Sequence, residues 1–258
     1  MPRKDKVVKA AFVPKLDALM AFDYPNIELK LLAFYLESVG WPSMADVFRE
    51  GRDLHSETAA GILKKPVDQL TDDERQDYGK VPNFSIVYGG GLPTIMSHFG
   101  WGAPQALEFL RAYHAQWPGM GWATKQRRAD HGTLVNYIQE RVEERGYITT
   151  LYGRHLHPRS MHSALNALCQ GCAADLIKWA MVRVDDSLKL HGMQSHIVNM
   201  VHDDLLLDVA ADEAPIIAAS VPEWMTDDRI HSVVPIMPEP EVSFTTWADM
   251  QPYTDLGG

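Results

Sequence analysis

Residues 196–209 read HIVNMVHDDLLLDV. Two apolar runs, His196–Val201 and Leu205–Val209, flank His202, Asp203 and Asp204. The pattern predicts an antiparallel hairpin with carboxylates at its turn. A further apolar run, Leu16–Tyr24, lies between Pro14 and Pro25 and has Asp23 near its end. Two acidic strand ends on one antiparallel sheet can meet and hold two hard divalent cations through oxygen ligands. Taken alone the pattern is weak evidence, because acids at turns are more often simply solvated.

Outward from these strands the chain is mostly helical. Pro25 suits the first turn of a helix whose apolar face is Ile27, Leu31, Leu32, Tyr35 and Leu36, ended by Trp41-Pro42. Helices are also expected over Asp72 to Tyr88, interrupted at Pro82, and over Pro104 to Gln116. The longest runs from Met161 to Leu190, capped by Ser160 or Ser163 and ending before Gly192. Gly146 to Tyr152 reads as a strand, as does a segment near Val242–Phe244. Mixed helices and strands without a βαβ rhythm predict an α+β protein.

Composition bounds the function. The 258 residues are 46% hydrophobic and 22% charged, enough for one or two domains. The net charge of −10 is unevenly spread: residues 201–258 hold twelve acids against Arg229 alone. The remainder is nearly neutral and keeps basic stretches, so an acidic total does not exclude nucleic acid. Two cysteines exclude a disulfide scaffold and suit a reducing compartment. No apolar run reaches the roughly 20 residues of a membrane span, and Pro14, Lys15 and Asp17 interrupt any signal-peptide core. A cytoplasmic protein with no membrane partner is expected.

Two polar stripes carry further chemistry. Lys80, Phe84 and Tyr88 recur at helical spacing, and a cation, an aromatic plate and a phenol on one face suit a nucleotide. An amphipathic helix with a chance lysine has the same spacing. His162, Asn166 and Gln170 form a second stripe, suited to minor-groove acceptors or to solvent. Cys169 and Cys172 lack the two further ligands of a metal site and read as small buried residues. Gly89 to Gly91 follows a helix and terminates it, without the ending of a phosphate loop.

The order of these pieces resembles DNA polymerase family A, the DNA polymerase I class. Asp23-Tyr24-Pro25-Asn26-Ile27-Glu28-Leu29-Lys30 is similar to motif A. Lys80 through Asn83-Phe84-Ser85-Ile86-Val87-Tyr88-Gly89 is similar to motif B. Val201-His202-Asp203-Asp204 is similar to motif C, and Gly146 to Arg154 and Asn166 to Asp175 match further family segments in order. The resemblance spans roughly Val7 to Trp247. It implies a right-hand fold: an antiparallel palm with helices at 1–38 and 156–258, and mostly helical fingers at 39–155.

The resemblance also implies roles. Asp23, Asp203 and the main chain of Tyr24 would hold two Mg²⁺ ions about 4 Å apart, with Mn²⁺ as a substitute and Asp204 as a secondary acid. Lys80 would contact the incoming dNTP triphosphate and protonate pyrophosphate. Phe84 would pack on the sugar, Tyr88 would stack near the templating base, and Tyr24 would belong to the dNTP site. Glu28 would be the steric gate against a ribose 2′-hydroxyl. Arg154 and His202 would lie near the primer of a primer-template DNA, and His162, Asn166 and Gln170 would monitor the minor groove. His55, in a family segment of the fingers, reads as a packing residue.

Several positions depart from the family. Its triphosphate-binding Arg lies four residues before the Lys, but Gln76 stands there and Arg75 is five before. Pro82 removes a backbone donor inside the motif B helix. A kink or single-residue bulge between Tyr78 and Phe84 would account for Pro82 and return Arg75 to the face. His162 and the short Gly153 to Asn166 stretch resemble phage members. No thumb or 3′–5′ exonuclease segment precedes motif A, so a separately encoded thumb- or exonuclease-bearing partner is expected, with the bases from Arg3 to Lys15 and from Lys125 to Arg159 giving a partial DNA track. The expected function is template-directed DNA synthesis. The rivals are a single-subunit RNA polymerase, which carries a small residue in place of Glu28, and a non-catalytic polymerase-derived interaction subunit.

Overall fold

The computed structural model of the chain describes residues 6–88, 90–121 and 132–254, with the backbone alone at Met161 and His162. Arg3, Lys4, Gly89, the Lys125 end of the expected basic track and the His162 side chain lie outside the described residues. The fold divides into two compact units. Unit 1 comprises Met1–Ile27, Ala173–His231 and Ile236–Gly258, and unit 2 comprises Glu28–Cys172 and Ser232–Pro235.

In chain order the elements begin with α1 (Lys6–Lys9), β1 (Ala18–Asp23), α2 (Ile27–Ser38), α3 (Ser43–Arg49) and α4 (Leu54–Leu63). Next come α5 (Asp72–Arg75), a π-helical turn (Gln76–Lys80) and α6 (Val81–Val87). They are followed by α7 (Leu92–Phe99), α8 (Ala103–Gln116), α9 (Leu134–Arg145), β2 (Ile148–Thr149), β3 (His155–Leu156) and α10 (Met161–Leu190). The chain closes with β4 (His196–Val201), β5 (Asp204–Val209), α11 (Ala214–Met225), α12 (Asp228–His231), β6 (Glu239–Ser243) and β7 (Gln251–Pro252). The mixture is α+β, as expected.

Unit 1 is built on an antiparallel sheet of order β4-β5-β1-β6-β7. The central strand β1 is covered on both faces. Leu19 and Ala21 join Leu206 and Trp247 on one side, with Phe12 set edge-on against Trp247 at 5.4 Å. Met20 and Phe22 alternate with them and are fully buried. Burial of both faces is why Ala18–Phe22 is continuously apolar rather than alternating. Val201 pairs with Asp204, so His202 and Asp203 alone make the turn of the β4–β5 hairpin. His202 sits at φ 59°, the left-handed region that a tight hairpin turn requires.

Among the described residues, the regular structure of unit 2 is helical apart from the β2–β3 hairpin. Its core gathers Leu29, Leu32 and Leu36 of α2 with Tyr113, Trp117, Leu134, Ile138, Leu165 and Leu168. Cys169 and Cys172 are buried on α10, consistent with packing residues. The strand expected over Gly146 to Tyr152 is shorter. Gly146, at φ 76°, ends α9, and only Ile148–Thr149 pairs with His155–Leu156 before Gly153, at φ 83°, turns the chain. Helices α3, α4, α7 and α9 were not foreseen from periodicity. Local caps delimit two of them: Asp53 accepts from Ser56 N at α4, and Thr133 accepts from Asn136 N at α9.

The irregularity expected around Pro82 is a π turn over Gln76–Lys80, in which the Val81 N–H reaches back five residues to the Gln76 carbonyl. It lies just before Pro82 and overlaps the expected Tyr78–Phe84 window. Widening the turn shifts the acceptor register, so Pro82, at the start of α6, interrupts no regular α-helical ladder. Gly79 sits inside this turn, and a Cβ there would collide with the His55 carbonyl of α4. Gly79→Ala is therefore expected to destabilise the protein by about 1–3 kcal/mol, since the backbone it meets cannot yield. Urea unfolding of the variant checks this; an unchanged midpoint would refute the close approach.

Candidate active site

In unit 1 the carboxylates converge through strand register. Asp23, the last residue of β1, lies opposite Asp204 of β5 on one side and Glu239 of β6 on the other. Asp203 precedes Asp204 in the hairpin turn. The Asp204 carboxyl is pushed up to about 6 from the ordinary value of 3.8. Burial is the main cause, and the charges of Asp23, Glu241 and Asp203 add to it while Lys9 pulls the other way. Asp204 Oδ1 is buried without a hydrogen-bond partner among the described residues.

Among the described residues no three His, Cys, Asp or Glu side chains form a ready-made ion cage. Asp23 and Asp203 nevertheless supply the hard carboxylate oxygens that a divalent cation takes. The crowded carboxylates and the orphaned oxygen beside them describe an excess of negative charge, which a cation sharing its remaining ligands with a substrate would relieve. Tyr24 is fully buried in unit 1 and its hydroxyl donates to the Met225 carbonyl. Burial pushes the Tyr24 phenol far above its usual range. The Tyr24 side chain is thus committed to the packing of unit 1, while its main chain directly follows Asp23 at the end of β1. His202 is exposed at the hairpin tip.

The raised Asp204 value has a stability consequence. The folded state holds this proton more tightly than the unfolded chain does. Stability linked to Asp204 is therefore full below about pH 4 and is lost as pH rises through about 6. Asp204→Asn is expected to stabilise the metal-free protein at pH 7 by on the order of 2 kcal/mol and to flatten this part of the profile. Melting temperatures from pH 4 to 7 in chelator test it, and parallel profiles for the two proteins would refute it.

In unit 2, Glu28 is held from two sides. The Tyr88 hydroxyl donates to Glu28 Oε2 at 2.7 Å, and Gln170 Nε2 donates to Glu28 Oε1 at 3.4 Å. Asn166 Nδ2 donates in turn to Gln170 Oε1 at 3.3 Å, so four of the expected residues, Glu28, Tyr88, Asn166 and Gln170, form one network. Burial and then the Glu28 carboxylate push the Tyr88 phenol up to about 12, keeping it a donor. Phe84 and Tyr88 are nearly parallel, with centroids 6.1 Å apart. Lys80 is exposed at the end of the π turn.

Arg75 and Lys80 are five residues apart across that turn, the repeat at which a π-helix brings side chains to one face. The Arg75 guanidinium is engaged by Asp53 through two bonds, Nε–Oδ2 at 2.7 Å and Nη2–Oδ1 at 2.9 Å. Burial opposes ionisation of Asp53, but Arg75 and Ser56 outweigh it and hold the carboxyl well below the usual range. Asp53 was not foreseen. Its signal lay in its place one residue before α4, where an N-cap aspartate belongs. His55 is buried beside it, 3.1 Å from Asn83 Nδ2, and burial lowers its imidazole to about 4, so it is neutral at pH 7. Arg154 Nη2 donates to the Gly171 carbonyl of α10 at 2.7 Å. A Cβ at Gly171 would lie 2.7 Å from Leu156 Cδ1 and 3.2 Å from that guanidinium, so this glycine lets the β2–β3 hairpin approach the helix.

The fold has close relatives of known kind. A solved structure of the POL domain of Pol1 from M. smegmatis, in complex with DNA primer-template and dNTP, matches 97% of this chain and 44% of its own, with a TM-score of 0.80 and 25% identity. That likeness places the fold among polymerase domains. The chain belongs to DNA polymerase family A, whose profile matches residues 2–249. DNA polymerase I of Pseudomonas aeruginosa is 32% identical over 218 residues, which are 80% of this chain and 22% of that protein. DNA polymerase I of Bacillus caldotenax is 31% identical over 232 residues, 84% of this chain and 25% of that protein. The chain thus spans about a quarter of the length of these curated relatives. Among the described residues no helix is long and apolar enough to cross a membrane.

Proposed function

We propose that the chain carries out template-directed DNA synthesis: nucleotidyl transfer from a dNTP to a primer 3′-hydroxyl. The observation that carries this reading is the meeting of Asp23 with Asp204, and of Asp203 beside it, at one end of the unit 1 sheet. In the reaction the 3′-oxygen forms a bond to the α-phosphorus, the bond from that phosphorus to the bridging oxygen breaks, and pyrophosphate leaves. Asp23, Asp203 and the Tyr24 main chain would hold divalent metal, Mg²⁺ with Mn²⁺ as a substitute. When bound, such metal would lower the pKa of the attacking hydroxyl and offset the charge of the leaving group.

The chain's own residues divide the remaining work. Lys80 and Arg75 bind the triphosphate, and Lys80 returns a proton to pyrophosphate. Arg75 is pre-oriented by Asp53, which fixes the guanidinium before substrate arrives. Phe84 packs on the sugar and Tyr88 lies near the templating base. Asn166 and Gln170 read the minor groove, while Arg154 and His202 serve the primer. The palm reading of 1–38 and 156–258, and the fingers reading of 39–155, belong to this proposal.

The Glu28–Tyr88 hydrogen bond favours DNA over RNA synthesis, since a carboxylate fixed in place excludes a 2′-hydroxyl that a small residue would admit. No feature of the fold or its relatives supports the separately encoded thumb-bearing partner expected above. Primer extension with Mg²⁺, comparing dNTPs with rNTPs, tests the reading. Template-dependent extension by dNTPs supports it, preference for rNTPs supports the RNA polymerase rival, and tight DNA binding without extension supports the non-catalytic one.

A further inference from the structure

A cleft of about 170 Å³ opens in unit 2 between α2, α9 and β2. Its walls include Tyr35, Ser38, Tyr137 and Tyr147, and among the described residues its only charged lining residues are Arg141 and Arg145. The two arginines are one helical turn apart on α9 and project to the same side. The acids of that helix, Glu140, Glu143 and Glu144, are absent from the wall, so an otherwise acidic helix presents a cationic face to the cleft.

Tyr137, Arg141 and Arg145 remain accessible on this face. Tyr137 keeps 44% of its surface exposed, and the Arg141 guanidinium lies 5.1 Å from its ring centroid. The carboxylate nearest Arg141 is Glu144, at 3.9 Å on the helix surface. Arg145 is exposed and has no ion pair among the described residues. Tyr147 is held by His155, stacked at 4.0 Å, so its ring is fixed in position before any ligand arrives. Planar rings beside paired guanidinium groups suit an aromatic base and the phosphate next to it.

Size narrows the ligand. Pockets that enclose a whole drug-sized molecule run to about 300–1,000 Å³. The cleft is smaller, and admits one ring with its phosphate at the mouth rather than an entire nucleoside triphosphate. We propose that it holds a single nucleotide of an unpaired DNA strand, the base against Tyr137 and Tyr147 and the phosphate on Arg141 and Arg145. The assignment of DNA as the strand rests on the polymerase reading above.

The test measures binding of a primer-template with an unpaired template overhang and of the matching blunt duplex, by fluorescence anisotropy. Arg141→Gln combined with Arg145→Gln is expected to weaken overhang binding by roughly 10-fold and to reduce the salt slope of log K by about 0.7 per lost phosphate contact. Single-nucleotide insertion at saturating DNA should not change, and blunt-duplex binding should fall much less than overhang binding, a difference that a merely structural defect would not produce. Should the double variant fail to fold, Tyr137→Leu on the exposed ring gives the same readout. Equal overhang affinity in variant and wild type, with extension intact, overturns the proposal. Displacement of the overhang by dTMP as effectively as by an oligothymidylate strand also overturns it, in favour of free nucleotide. A wild type that extends no primer, yet binds single strand through these arginines, keeps the cleft and sinks the polymerase reading.

Discussion

Asp203→Asn is expected to reduce primer extension by at least about 10³-fold while the protein stays folded, and Asp23→Asn should do the same. Loss of a carboxylate that binds metal removes several kcal/mol of charge stabilisation from the transition state, and each 1.36 kcal/mol is a factor of ten. The fold should tolerate the change because these carboxylates repel one another. Asp23 and Asp203 both raise the Asp204 pKa, so neutralising either relieves like-charge strain. Single-turnover extension with Mg²⁺ measures the first effect, and a melting temperature at or above that of wild type measures the second. Extension near the wild-type rate in either variant would remove that carboxylate from the metal site.

The second large effect is on sugar selection. Glu28 is fixed by Tyr88 at 2.7 Å and Gln170 at 3.4 Å, so its carboxylate occupies a defined volume rather than sampling several rotamers. Glu28→Ala empties that volume and should raise ribonucleotide incorporation relative to deoxyribonucleotide by roughly 100-fold, the scale at which pocket shape discriminates small groups. Tyr88→Phe removes one of the two bonds and leaves the carboxylate, so its shift in the same ratio should be smaller. The ratio of kcat/KM for rNTP and dNTP is the measurement. An unchanged ratio in Glu28→Ala would mean that another residue is the gate.

The same residues show how far the chain could be read from its order alone. The β4–β5 hairpin was legible because both strands and the turn lie within fourteen residues, 196–209, and the apolar runs mark them locally. Helix α10 was legible to its ends, since Ser160 accepts from the Ser163 N–H and Gly192 follows its last turn. The irregularity in the motif B helix was legible from Pro82, because a proline without an N–H cannot continue an α-helical ladder. That it would be a π turn rather than a kink was not, because the choice depends on the packing of Gly79 against the His55 backbone.

Local pattern by itself determined β1, the β4–β5 hairpin, α2, α8 and α10, where the carboxylates stand on those strands, and that Lys80, Phe84 and Tyr88 share a helix. Only the tertiary structure decided that β1 enters between β5 and β6 with Asp23 opposite Asp204, some 180 residues away in the chain. Only it decided that Arg75 is held by Asp53 and that Tyr24 turns its hydroxyl inward to Met225. The physical reason is the range of the interactions. Propensity, capping and periodicity act over a few residues and leave their mark in composition. Strand register and ion pairing between distant segments are set by whichever arrangement buries both faces of β1 and satisfies its polar neighbours, a condition no short stretch of sequence contains.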